Sequence, residues 1–135
     1  MKPTSHFDLL LQAAAAQPDP QRLLFVFAAA GLPDDATPAQ RQGFEAGTGG
    51  ELAPLMCVDK APDELADFDA LATESASAGP PWQVVFAAGL AGRGGRAPTR
   101  PQVDEALQAM VERVRSGRLD GLLALDRAGH PLRWC

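Results

Sequence analysis

The chain has 135 residues, 46% hydrophobic and 21% charged, with a net charge of −5 at pH 7. That is the size and composition of one globular domain built round a single core, here residues 1–135. No run approaches the roughly 20 apolar residues that a membrane helix needs, and Met1–His6 holds no apolar stretch of the secretory kind. A cytoplasmic location and no membrane partner are therefore expected.

Charge is divided unevenly. Residues 1–80 carry 4 basic and 12 acidic side chains, and residues 81–135 carry 8 basic, all Arg, and 5 acidic. The acidic whole argues against general nucleic-acid binding but leaves room for a local anion site in the second part. Cys57 and Cys135 are the only cysteines, too few and too far apart for a disulfide framework or a zinc site. Cys57 reads as a small buried hydrophobe within a strand. No metal and no cofactor are expected.

In chain order, Ser5 and Asp8 form an S-x-x-D capping box. Phe7, Leu10, Leu11, Ala14 and Ala15 follow it on one helical face, and Pro18 and Pro20 end the helix. Arg22–Ala29 is apolar on both faces and reads as a central strand. Thr37-Pro38-Ala39-Gln40 starts a short helix, and Gly47-Thr48-Gly49-Gly50 reads as a flexible loop. The next strand, Glu51–Val58, contains Pro54, which lacks the ladder donor; this strand should lie at an edge or carry a bulge. A helix is expected from Pro62-Asp63-Glu64, with Leu65, Phe68 and Ala72 inward, followed by an apolar strand at Trp82–Leu90. Pro101–Ser116 has the clearest helical period, in Val103, Leu107, Met110, Val111 and Val114, with Gly117 as its C-terminal cap. Gly121–Leu125 is a last strand. Asp126-Arg127-Ala128-Gly129 turns it back as a C-terminal β-hairpin through His130–Trp134.

Alternation of apolar runs with helical periods predicts an α/β fold. It would be a single compact domain with a four- to five-stranded mixed, mostly parallel sheet flanked by three main helices. Its strands two to three and three to four would be joined by right-handed crossovers. A ligand site would then open at the carboxyl ends of the strands.

The loop Gly89–Pro101 is the candidate for such a site. Glycines Gly92, Gly94 and Gly95 let backbone amides approach an anion, and Arg93, Arg96 and Arg100 add bidentate donors beside a helix start. Gly92-x-Gly94-x-x-Ala97 fits the loose dinucleotide pattern, but Pro98 and Pro101 separate it from the helix, and no Gly-Lys-Ser/Thr motif is present. Asp59 and Asp126 are strand-end carboxylates that, on one lip of a parallel sheet, would flank that loop; each also suits a turn. His6 and His130 lack the neighbours of a nucleophilic triad. No catalytic set is assigned.

Leu23-Leu24-Phe25-Val26-Phe27, Pro33-Asp34-Asp35-Ala36-Thr37-Pro38, Pro54-Leu55-Met56-Cys57-Val58-Asp59-Lys60 and Asp126-Arg127-Ala128-Gly129 carry a resemblance over most of the chain. The chain resembles a family of short bacterial proteins labelled "ribonucleotide reductase subunit alpha". Two cysteines do not supply the redox and radical chemistry of a reductase large subunit, so the resemblance brings no catalytic residue. The expected function is a non-enzymatic interaction or regulatory module that self-associates as a homodimer, with Trp134 and the hairpin at an exposed terminus. The alternative is a phosphate- or nucleotide-binding protein using residues 89–101.

Overall fold

The computed structural model describes residues 5–46 and 49–134. Gly47 and Thr48 of the glycine loop, and Cys135, lie outside the described residues. Helix α1 (His6–Ala15) opens on the expected capping box: the Ser5 hydroxyl accepts from the Asp8 amide at 3.0 Å and the Asp8 carboxylate from the Ser5 amide at 3.2 Å. Strand β1 (Gln21–Gly31) follows. Helix α2 (Pro38–Glu45) has the same reciprocal cap between Thr37 and Gln40, yet buries no residue. Strand β2 is Glu51–Lys60.

The expected helix start at Pro62 is a separate 3₁₀ turn, Pro62–Glu64. Helix α3 (Phe68–Ala78) begins only after Asp67, whose carboxylate accepts from the Ala70 amide. Strand β3 (Val84–Ala91), helix α4 (Arg100–Arg115, capped by Thr99 and Gln102) and the short strand β4 (Leu123–Leu125) complete the domain.

The sheet has four strands in the order β2-β1-β3-β4, and every hydrogen-bonded neighbour is antiparallel. This corrects the expectation of a mostly parallel sheet: among the described residues the sheet is wholly antiparallel, and four α-helices are present, the short α2 among them. Strands β2 and β3 do run the same way, with β1 between them, whereas β3 and β4 are antiparallel neighbours, so the crossover expected between them joins opposed strands instead.

The physical reason lies in what an apolar run reports. Leu23–Ala28 is buried without a break because helices cover both faces of the sheet. Coverage of both faces is usual in parallel sheets, but it does not set strand direction. The long helical connections are required for parallel neighbours and merely tolerated by antiparallel ones.

Two cores result, one on each face. Leu23, Phe25, Phe27, Val85 and Leu125 face α1 and α3, meeting Phe7, Phe68, Leu71 and Trp82. Leu24, Val26, Ala28, Val84, Phe86 and Ala124 face α4, meeting Val103, Leu107, Met110 and Val114. Side-chain alternation along β1 thus feeds both layers, and each fully buried aliphatic or aromatic side chain contributes roughly 1.5–3 kcal/mol.

Trp82 packs against Phe27 and Phe68 with ring centroids 5.1 and 6.5 Å apart. Its indole N–H donates to Ser75 Oγ at 2.8 Å, and that hydroxyl donates to the Ala72 carbonyl at 2.7 Å, so this polar pair within the core is satisfied.

Pro54 is at an edge and also at a bulge. β2 is the outermost strand, and its register with β1 slips between Phe27↔Met56 and Ala28↔Pro54, leaving Leu55 as the extra residue. At the other edge the expected hairpin is short. Asp126–Gly129 turns with Gly129 at φ 86°, and the return is a single bridge, Leu125↔Pro131. Trp134 packs back against the α4-side core and is partly buried.

Candidate functional site

Antiparallel strands put their carboxyl ends alternately at the two ends of the sheet, so the common lip on which the sequence-based site depends does not form. Asp59 lies in β2 level with Leu24, while Asp126 follows β4 at the other end, three strands away. Strand spacing and rise separate the two carboxylates by on the order of 20 Å. They do not act on one substrate.

Each carboxylate has its own partners. Asp126 Oδ1 accepts from the Ala128 and His130 amides, both at 2.9 Å, and builds the turn. Asp59 sits between two guanidiniums. Its Oδ2 accepts from Arg22 Nε at 3.0 Å and Nη2 at 2.5 Å, and its Oδ1 from Arg100 Nη2 at 3.0 Å. Arg22 continues to Glu64 at 3.1 Å and Arg100 to Asp104 at 2.7 Å. Burial pushes the Asp59 carboxyl up, but hydrogen bonds and charge from Arg22 and Arg100 outweigh it and hold it below its ordinary value. The network ties β1, β2 and the first turn of α4 together.

Arg100 therefore does not join Arg93 and Arg96. Those two flank a tight hairpin whose tip, Gly94-Gly95, has φ of 58° and 78°, where glycine is needed. Four of the loop amides already have partners. Gly92 N–H donates to the Pro20 carbonyl at 2.8 Å, Arg93 and Arg96 bond each other's main chains, and Gly95 N–H donates to the Asp19 carboxylate at 2.8 Å. An acidic side chain of the protein, Asp19, takes the tip amide of Gly95. The Arg93 and Arg96 side chains, a cross-strand pair, border a groove of about 510 Å³ with Thr99, Gln102 and Glu105, and among the described residues neither forms an ion pair.

The outer edge of β2 has no strand beyond it. Pro20 and Ala28 carbonyls accept from Gly92 and Gln83 on the β3 side, so even-numbered residues of β1 turn their peptide groups toward β3 and odd-numbered ones toward β2. Through the β1–β2 register, Met56, Val58 and Lys60 bond inward, while Cys57 and Asp59 direct N–H and C=O outward.

This rim is flanked on both faces. A groove of about 1050 Å³ along α4 is lined by Cys57, Asp104, Gln108, Val111 and Arg115. A smaller one of about 240 Å³ along α3 is lined by Met56, Val58, Leu71, Glu74 and Ala78.

Cys57 is exposed at this rim rather than buried, a correction to the sequence reading that follows from β2 being the edge. Partial burial raises its thiol pKa, and the charges of Asp59 and Asp104 raise it further, so it stays a neutral thiol near pH 7. Sequence gave one clue to this rim, Pro54, and none to the Asp59 network, whose partner Arg22 is 37 positions away.

Among the described residues no three His, Cys, Asp or Glu side chains cluster to hold a metal ion, and no helix is long and apolar enough to cross a membrane. No protein-family model, curated protein or solved structure matches the chain.

Proposed function

We propose that the protein is a non-enzymatic interaction module that binds a protein chain by strand addition at the outer edge of β2. The observation that carries this reading is the open rim itself: a ten-residue edge strand with outward peptide groups at Cys57 and Asp59, and a groove on each side for alternate side chains. Main-chain hydrogen bonds supply affinity in this mode, and the two grooves supply selectivity. The two strand-end carboxylates, Asp59 and Asp126, are far apart and engaged in structural bonds, which favours binding over catalysis.

Display of random extended peptides against the wild type, with Cys57→Pro as the counter-target, tests the reading. Proline at 57 removes an outward donor and leaves the β1 ladder intact, as Pro54 already does at its own outward position. Peptides that bind the wild type and lose binding to Cys57→Pro support it. Failure to enrich any such peptide removes it.

A second reading is favoured by the Arg93–Arg96 pair. Like charges held directly opposite each other repel, and a phosphate or nucleotide in the adjoining groove would relieve that. The alternative predicts a thermal shift with phosphates or nucleotides that Arg93→Ala or Arg96→Ala abolishes; a shift unchanged by either substitution rules it out.

A further inference from the structure

We infer that the strand received at this edge is β2 of a second copy of the chain, paired antiparallel about a two-fold axis at Val58. This rests on the edge being the binding surface and adds the occupant and the register.

The usable edge is short and sharply bounded. Toward the start of β2, Pro54 has no N–H and Leu55 is bulged; beyond Lys60, the Ala61 amide is taken by Glu64 at 2.8 Å. Between these limits only Cys57 and Asp59 turn peptide groups outward. An antiparallel partner must match outward residues with outward residues. Pairing Cys57 with the partner's Asp59, and Asp59 with the partner's Cys57, uses every outward group of the segment and sets Val58 opposite its own copy. A two-fold contact consumes the same edge of both copies, so it closes as a dimer instead of growing into a fibre.

Side chains on both faces agree with this register. On the α3 face, partly buried Val58 meets Val58 of the other copy in the closely spaced, non-hydrogen-bonded pair, and Met56 lies beside the partner's Lys60 stem. On the α4 face, Arg100 stands at the level of Asp59, and Asp104 one helical turn further on stands beside Cys57. The two-fold axis carries Arg100 of each copy to Asp104 of the other, and these side chains are 56% and 64% exposed, available to a second partner. Past this first turn, α4 of each copy runs along β2 toward Leu52, so the two helices lead away from the axis in opposite directions.

The test uses the full chain with Cys57→Ser and Cys135→Ser, and one new cysteine. Val58→Cys places two thiols at a pair with Cα atoms about 4.5 Å apart, within disulfide reach, whereas Met56→Cys leaves them more than about 12 Å apart. Val58→Cys is expected to form a covalent dimer roughly tenfold faster than Met56→Cys under mild oxidation. Sedimentation of the wild type at high micromolar concentration should give a dimer, and Cys57→Pro a monomer with an unchanged circular dichroism spectrum. A monomeric wild type, equal cross-linking at both positions, or a dimer indifferent to Cys57→Pro overturns the inference. If display still yields peptides that distinguish the wild type from Cys57→Pro, the edge remains the binding surface and only the occupant is wrong.

Discussion

Replacing Asp59 by Asn tests the ion network most severely. The Asp59 side chain is 11% exposed and accepts three hydrogen bonds from two guanidiniums. Bonds to charged groups contribute about 1.5–3 kcal/mol each, and breaking a buried pair costs about 3–5 kcal/mol. Arg22 is 25% and Arg100 56% exposed, so solvent rehydrates both and screens the second strongly. A loss of about 2 kcal/mol is expected, which for a domain of this size lowers Tm by about 6–10 °C.

The pH dependence carries a sign. A carboxyl held below its ordinary value in the folded protein contributes stability that is complete above the unfolded value of about 3.9 and fades as pH falls through the folded one. Thermal unfolding followed by circular dichroism should show the wild type and Asp59→Asn well separated at neutral pH and converging in acid, as pH falls below the unfolded value of about 3.9. Equal Tm values at neutral pH, or a gap that persists in acid, would refute the argument.

Two other substitutions probe the packing. Ser75→Ala removes the acceptor of the buried Trp82 indole N–H and is expected to cost about 1–3 kcal/mol in denaturant unfolding; a neutral result would mean that the hydroxyl does not satisfy the indole. Gly92→Ala would set a methyl 1.9 Å from the Arg96 carbonyl oxygen and 2.8 Å from that of Pro20. It should destabilise by about 1–3 kcal/mol and free the hairpin tip to rapid amide exchange, and unaltered protection of the Arg93 and Arg96 amides would contradict the close approach seen here.

What could be read from sequence was local. Ser5–Asp8 and Thr37–Gln40 announce their helices because a capping box is complete within four residues. Pro54 pointed to an edge or a bulge through chemistry carried by one residue. Asp126 and Gly129 likewise marked their own turn. Strand direction depends on how long connections return, and the buried run through β1 is compatible with either answer. The grouping of the candidate site was hidden at the same level, since Arg100 turns to Asp59 and Asp126 to its own turn, away from Arg93 and Arg96. Nothing near Gly92–Arg96 in sequence shows that Asp19 supplies the anion, and nothing near Asp59 shows that Arg22 and Arg100 converge on it. Cys57 looked like core because its neighbours are apolar; its exposure reflects its place on the outermost strand beside the groove along α4.

Residue-resolved amide hydrogen exchange on β2, at low and at high micromolar protein, tests the edge account most directly. Met56 and Val58, bonded to β1, should be protected at both concentrations, while Cys57 and Asp59 should exchange freely when dilute and become protected as concentration rises. Rapid exchange at Cys57 and Asp59 under both conditions would contradict pairing through this edge.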